Sequence, residues 1–251
     1  SSVKFNPVFA DYDGDSKTDF AFFQPDTGYW HIYLSSNQGK FEKVFYGNKG
    51  DVPIPANLSG DSNFQLSIWR PHTGAWLINK PNEETGEIEQ WLHHQGASED
   101  SVCAFDYDGD KKSDLIIWRP PEGYWFIDKS TNGYDSKKGE AIKHGKEWDV
   151  LVPNDFDNDG RCDLVVWRPE DETWYFKYAK SKKDHLITFG SRGEIPLSND
   201  LTGDGIPELI MWDDSNGTWK IYNTKTQERE EFKWEVPKGS LPAITILQMF
   251  E

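Results

Sequence analysis

The 251 residues carry 43 acidic against 27 basic side chains, a formal charge of −16 that repels nucleic acid and anionic membrane surfaces. Only 36% of residues are hydrophobic, yet 15% are aromatic and twelve are Trp, which excludes a disordered chain and points to a core built of rings. No run of 18 apolar residues is present for membrane insertion, and two cysteines, Cys103 and Cys162, are too few for a disulfide scaffold or a thiolate zinc site.

In chain order, the first predicted element is a strand, "FNPVFA", followed by an acidic loop, "DYDGDSKTDF", from Asp11. A second strand in "FAFFQP", a turn, a third strand around Trp30 and a fourth run, "KVFYG", complete the unit. The run "GDVPIPANL" then leads into a worn copy of the loop, "NLSGDSNFQL", from Asn57. Full copies follow as "DYDGDKKSDL" from Asp106 and "DFDNDGRCDL" from Asp155, with "DLTGDGIPEL" from Asp200. The loops are spaced by 46, 49, 49 and 45 residues, the signature of a repeat architecture.

Each loop is followed by a segment such as "LSIWRPHTGAWLI", "LIIWRPPEGYWFI" or "LVVWRPEDETWYF". Pro71 presets φ for a turn corner and Gly74 can supply positive φ, with aromatic and β-branched residues on both sides, as in a β-hairpin. No apolar pattern at i, i+3, i+4, i+7 persists, so helices are not expected. The predicted fold is all-β: a single five-bladed β-propeller over 1–251, with four strands per blade and the acidic loop between the first and second. The repeats run approximately 3–50, 51–99, 100–148, 149–193 and 194–242. The final run, 243–251, is expected to pair with the first blade and close a monomeric ring; the alternative is that the chain is part of a longer protein.

The spacing DxDxDGxxD sets carboxylates at positions 1, 3, 5 and 9 of a tight loop, with a backbone carbonyl at position 7. An oxygen-only donor set suits a hard cation, and Ca²⁺ tolerates this geometry better than Mg²⁺. Four loops concentrate 15 of the 43 acidic residues in 36 positions, and like charges a few Å apart repel by about 1 kcal/mol per pair even in water. A solvated acidic turn is the bland alternative. The candidate ligands are Asp11, Asp13, Asp15, Asp19 and the Lys17 carbonyl; Asp106, Asp108, Asp110, Asp114 and Lys112; and Asp155, Asp157, Asp159, Asp163 and Arg161. A weaker set comprises Asp200, Thr202, Asp204, Glu208 and the Ile206 carbonyl. About four structural Ca²⁺ are therefore expected, with the loop Asn57–Gln65 empty. Sites of this kind fill where Ca²⁺ is near millimolar, which predicts a secreted, extracellular or cell-surface protein.

This unit resembles the FG-GAP repeat, also called VCBS-like, of integrin α-subunit propellers and many secreted bacterial and fungal proteins. The resemblance rests on the DxDxDGxxD loops, on Phe189 and Gly190 before "SRGEIP", and on "YGNKGDVP" at 46–53. In that family the loop aspartates bind Ca²⁺, which implies the same here. Integrin propellers have seven blades against five in this chain, so their partner and ligand site are not carried over.

The resemblance also implies a non-catalytic recognition module, carbohydrate-binding or adhesive, whose partner is a glycan or an extracellular protein. Candidate ligand residues are Trp69, Arg70, Trp76, Trp118, Arg119, Tyr124, Trp125, Trp167, Arg168 and Trp174, which offer stacking faces beside hydrogen-bonding groups. Repeated at one blade position, the same residues equally suit packing and cation–π staples between blades. A polysaccharide-active lyase or glycosidase and a structural domain of a larger secreted protein are the other function classes. No HExxH, GxSxG or phosphate-cradling loop occurs, and no catalytic residue is predicted.

Overall fold

The computed structural model describes residues 6–8, 10–15, 19–34, 36, 40–61, 63–82, 84–213 and 215–233. Lys17 and the expected closing run 243–251 lie outside them. The described residues form five four-stranded antiparallel sheets, each in simple sequential order, and these are the blades of a β-propeller. The chain divides into two compact units, one of 1–106, 110–119 and 125–141, the other of 107–109, 120–124 and 142–251.

In the first unit, blade one consists of β1 (Asn6–Pro7), β2 (Phe20–Gln24), β3 (Tyr29–Leu34) and β4 (Lys40–Phe45). Blade two consists of β5 (Val52–Pro53), β6 (Ser67–Arg70), β7 (Ala75–Pro81) and β8 (Ile88–His94). Blade three contains β9 (Ser101–Phe105), β10 (Asp114–Arg119), β11 (Tyr124–Asp128) and β12 (Glu140–Lys143), all but Tyr124, Ile142 and Lys143 counted in this unit. A blade cannot bury both of its faces alone. Val8, Phe23 and Trp30 therefore pack with Ile68 of blade two, and Trp69, Trp76 and Ile78 pack with Leu115 of blade three.

In the second unit, blade four consists of β13 (Val150–Leu151), β14 (Leu164–Arg168), β15 (Thr173–Lys177) and β16 (Asp184–Thr188). Blade five consists of β17 (Ile195–Asn199), β18 (Glu208–Asp213), β19 (Thr218–Tyr222) and β20 (Arg229–Lys233). β14 is buried along its whole length while β16 and β20 are largely exposed, so burial falls from the middle of a blade to its rim. Trp167 and Trp174 join Phe176, Leu209 and Met211 in one core cluster.

The aromatic repeats become cross-strand pairs. Phe23 opposes Trp30, Trp69 opposes Trp76, Trp167 opposes Trp174, and Trp212 opposes Trp219. In blades two and four both indoles of the pair donate to one carbonyl: Trp69 and Trp76 to Gln95 O at 3.0 and 3.2 Å, Trp167 and Trp174 to Phe189 O, each at 3.2 Å. The following Gly96 and Gly190 have φ of +100°, which turns the chain so that this carbonyl faces inward. Gly96 also lies against the hairpin glycine Gly74, whose φ is +66° and where an added Cβ would meet Gly96 O at 2.5 Å. The "FG" element is thus a structural clasp that satisfies two buried N–H groups at once.

Cys103 and Cys162 are both free thiols, so no disulfide joins them. Desolvation pushes the thiol of the partly buried Cys103 far above its ordinary range, which makes it unreactive.

Candidate functional site

The acidic loops share one hydrogen-bond plan, in which the residue at position 9 is buried and its carboxylate closes the loop. Asp19, Asp114 and Asp163 are all fully buried. Tyr12 N donates to Asp19 Oδ2 at 2.7 Å and Phe156 N to Asp163 Oδ2 at 2.9 Å. The other Asp163 oxygen accepts from Ala179 N at 2.8 Å, and Asp114 Oδ1 accepts from Ser130 N at the same distance. At position 5 the carboxylate holds the amide of position 7, as in Lys112 N to Asp110 Oδ1 at 2.9 Å and Arg161 N to Asp159 Oδ1 at 3.0 Å. Loops are tied blade to blade as well: Phe64 N donates to Asp11 O at 2.8 Å and Ser113 N to Asn57 O at 2.6 Å.

This wiring gathers carboxylates. Asp11, Asp13 and Asp15 each bring an oxygen within 4.8 Å of the others, as do Asp106, Asp108 and Asp114, and Asp155, Asp157 and Asp163. Those three loops are the ones with aspartates at all of positions 1, 3, 5 and 9, with glycine at position 4 in the first two and at position 6 in the third. Burial pushes the Asp163 carboxyl up to about 7, even with two backbone amides favouring its charged form. Burial, with Asp159 and Asp155 adding to it, also raises Asp157. Asp159 Oδ2 is buried with no hydrogen-bond partner. A hard divalent cation fits this oxygen-only set, since it would neutralise the cluster in a loop that also holds the unpartnered Asp159 oxygen.

Two loops depart from the pattern. In the loop Asn57–Gln65, the neutral Gln65 takes the closing role, accepting from Leu58 N through Oε1 at 2.9 Å. Its Nε2 donates to Asn63 O at 2.7 Å, the carbonyl at position 7. This loop satisfies itself without an ion. In the blade-five loop, Leu201 N donates to Glu208 Oε2 at 2.7 Å, and Asn223 Nδ2 donates to Glu208 Oε1 at 2.9 Å. Lys225 Nζ lies 3.1 Å from Asp204 Oδ2, and Thr202 reaches Asp200 only at 3.5 Å. The ammonium already supplies positive charge there, and among the described residues no three-carboxylate cluster forms in this loop.

The second candidate group occupies the blade interiors. Trp69, Trp76, Trp118, Trp125, Trp167 and Trp174 are at most 2% exposed, so their ring faces serve packing rather than stacking on a ligand. Each neighbouring arginine is held by a buried aspartate 19 residues upstream. Arg70 binds Asp51 through two contacts of 2.9 Å, and Arg119 binds Asp100 likewise. Arg168 binds Asp149 at 2.9 and 2.8 Å. Lys220 with Glu194, 2.6 Å apart, repeats the theme in blade five. The Arg119 guanidinium also lies 5.0 Å from the Phe126 ring centre and that of Arg168 4.0 Å from Tyr175, an arrangement of ion pair and cation–π contact. Of the ten residues, Arg70, Arg119 and Tyr124 keep the partial exposure that contact with a ligand needs.

The aspartate partners were not singled out from sequence, although Asp51, Asp100 and Asp149 recur at one offset before a strand. Among the described residues no helix is long and apolar enough to cross a membrane.

No family model and no curated protein sequence matches the chain. Solved structures do resemble it in fold. A lectin of Agrocybe aegerita, described as recognising non-reducing terminal N-acetylglucosamine, aligns with a TM-score of 0.58 at 12% identity. That alignment covers 88% of this chain and 63% of the lectin, so the chain spans less than two thirds of its length. A virginiamycin B lyase of Staphylococcus aureus aligns with a TM-score of 0.54 at 10% identity, over 94% of this chain and 72% of the lyase.

Proposed function

We propose that the protein is a calcium-stabilised β-propeller of the FG-GAP type that works outside the cell as a non-catalytic, lectin-like recognition module. The observation that carries this reading is the contrast among loops of one backbone plan. Three gather carboxylate oxygens within 4.8 Å, whereas the loop Asn57–Gln65 has Gln65 in place of the closing carboxylate and satisfies its own position-7 carbonyl. A loop that has lost the carboxylates has also acquired internal hydrogen bonds in their stead, as expected if the other three are completed by a cation.

In the three full loops, Asp11, Asp13 and Asp15, then Asp106, Asp108 and Asp114, then Asp155, Asp157 and Asp163 would hold Ca²⁺, which supplies charge neutralisation and no chemistry. The blade-five loop, with Lys225 already at Asp204, would bind more weakly. The repeated Trp pairs and Arg–Asp pairs leave the blade interiors to structure, so recognition falls to exposed turns at the blade edges. The lectin of similar fold supports a sugar ligand, since it shows a propeller of this kind carrying glycan recognition. An array of immobilised glycans probed with the calcium-loaded protein tests the module reading: specific binding supports it, and hydrolysis or eliminative cleavage of those glycans contradicts it.

A further inference from the structure

Trp148 occupies the third position of the turn Lys146–Asp149 that leads into β13. Asp149 N donates to Lys146 O at 3.1 Å, and Asp149 Oδ2 accepts from Lys146 N at 2.8 Å, which closes the turn. The same turn precedes β5 and β17, where the third position is Gly50 with φ +89° and Gly193 with φ +96°. Trp148 has φ +72°. Glycine adopts this left-handed region freely, whereas a bulky side chain rarely does. Trp148 is also 81% exposed, the most of any large apolar residue among those described.

Strained backbone and an unburied indole coincide at one residue, and neither serves the core. Strained backbone of this kind clusters at ligand-binding sites. The indole borders a cleft of about 390 Å³ that also includes Glu147, Asp149, Arg168, Glu170 and Arg192. Arg168 and Asp149 neutralise each other through their bidentate pair, which leaves the exposed Arg192, Glu147 and Glu170 along the same cleft. Donors, acceptors and one exposed indole thus line a single cleft. A pyranose matches this chemistry, with a C–H face for the indole and hydroxyls that accept from a guanidinium and donate to a carboxylate.

We propose that Trp148 and this cleft form a subsite for a neutral pyranose unit of a glycan, stacked on the indole and hydrogen-bonded by Arg192 and Glu170. The inference rests on the recognition-module reading and places its ligand contact in blade four. The test compares the full calcium-loaded chain with Trp148→Gly and Trp148→Phe on an array of immobilised neutral oligosaccharides, together with thermal melts. Trp148→Gly should lose at least tenfold in affinity for the glycans the parent binds while its Tm holds or rises, because glycine relieves the left-handed strain. Trp148→Phe should keep part of the affinity. Unchanged binding by Trp148→Gly overturns the subsite and leaves the lectin reading standing, and a lowered Tm overturns it by giving Trp148 a structural role. An array blank for the parent protein removes the sugar reading and the subsite together.

Discussion

The Gln65 side-chain amide donates to the backbone oxygen of Asn63 at 2.7 Å, placing an N–H group on the carbonyl that the metal reading assigns to a cation in the sister loops. One substitution of amide for carboxylate thus changes what the loop requires. Restoring the motif with Asn57→Asp, Ser59→Asp and Gln65→Asp should raise the number of Ca²⁺ bound per chain by one in calorimetric titration. An unchanged stoichiometry would count against the role given to position 9.

Arg168 and Arg119 make equivalent pairs in different surroundings. The Arg168 side chain is 9% exposed and that of Arg119 39%, while their aspartates are 1% and 2% exposed. Arg168→Ala leaves a buried carboxylate without its countercharge and should cost about 3–5 kcal/mol. Arg119→Ala opens its pair to water and should cost less. Urea unfolding of the two variants checks the order, and equal losses would contradict it.

Gly74→Ala brings a Cβ to within 2.5 Å of Gly96 O at a residue with positive φ, whereas Gly193→Ala meets the same backbone strain in open space. Both should destabilise, Gly74→Ala by more, since it forces apart the clasp that holds Trp69 and Trp76. Melting temperatures of the two variants give the comparison directly.

His144 Nε2 lies 3.1 Å from the Tyr175 carbonyl oxygen. Burial, reinforced by Lys177, lowers its pKa below the ordinary 6.5, against the opposing pull of that carbonyl, Asp184 and Asp149. The fold therefore prefers the neutral ring, so its contribution is complete above pH 6.5 and is lost as pH falls from there through the folded-state pKa. An NMR titration should place the His144 midpoint below 6.5, and His144→Gln should melt with a shallower acid dependence between pH 6.5 and 5. A midpoint at or above 6.5 would refute this.

Much of the fold was legible because each blade repeats its chemistry at a period of about 47 residues. Four short β runs, paired Trp positions and an acidic loop per unit leave few architectures other than a propeller. The loop carboxylates were legible for the same reason. What escaped was pairing between distant residues. Sequence order does not show that Asp149 faces Arg168, that Phe189 O receives two indoles, or that Lys225 reaches back 21 residues to Asp204. Nor did it separate stacking from packing for Trp118 and Trp125, since only burial distinguishes them. Trp148 was passed over because its oddity is a backbone angle.

Calcium dependence of stability tests the central claim most directly. At free Ca²⁺ about ten times Kd, each site contributes about 1.4 kcal/mol, and three sites about 4 kcal/mol. Scanning calorimetry of one sample in 1 mM Ca²⁺ and in excess chelator should then separate the two melts by roughly 10 °C. A Tm that is the same in both would contradict the assignment of the three carboxylate clusters to Ca²⁺.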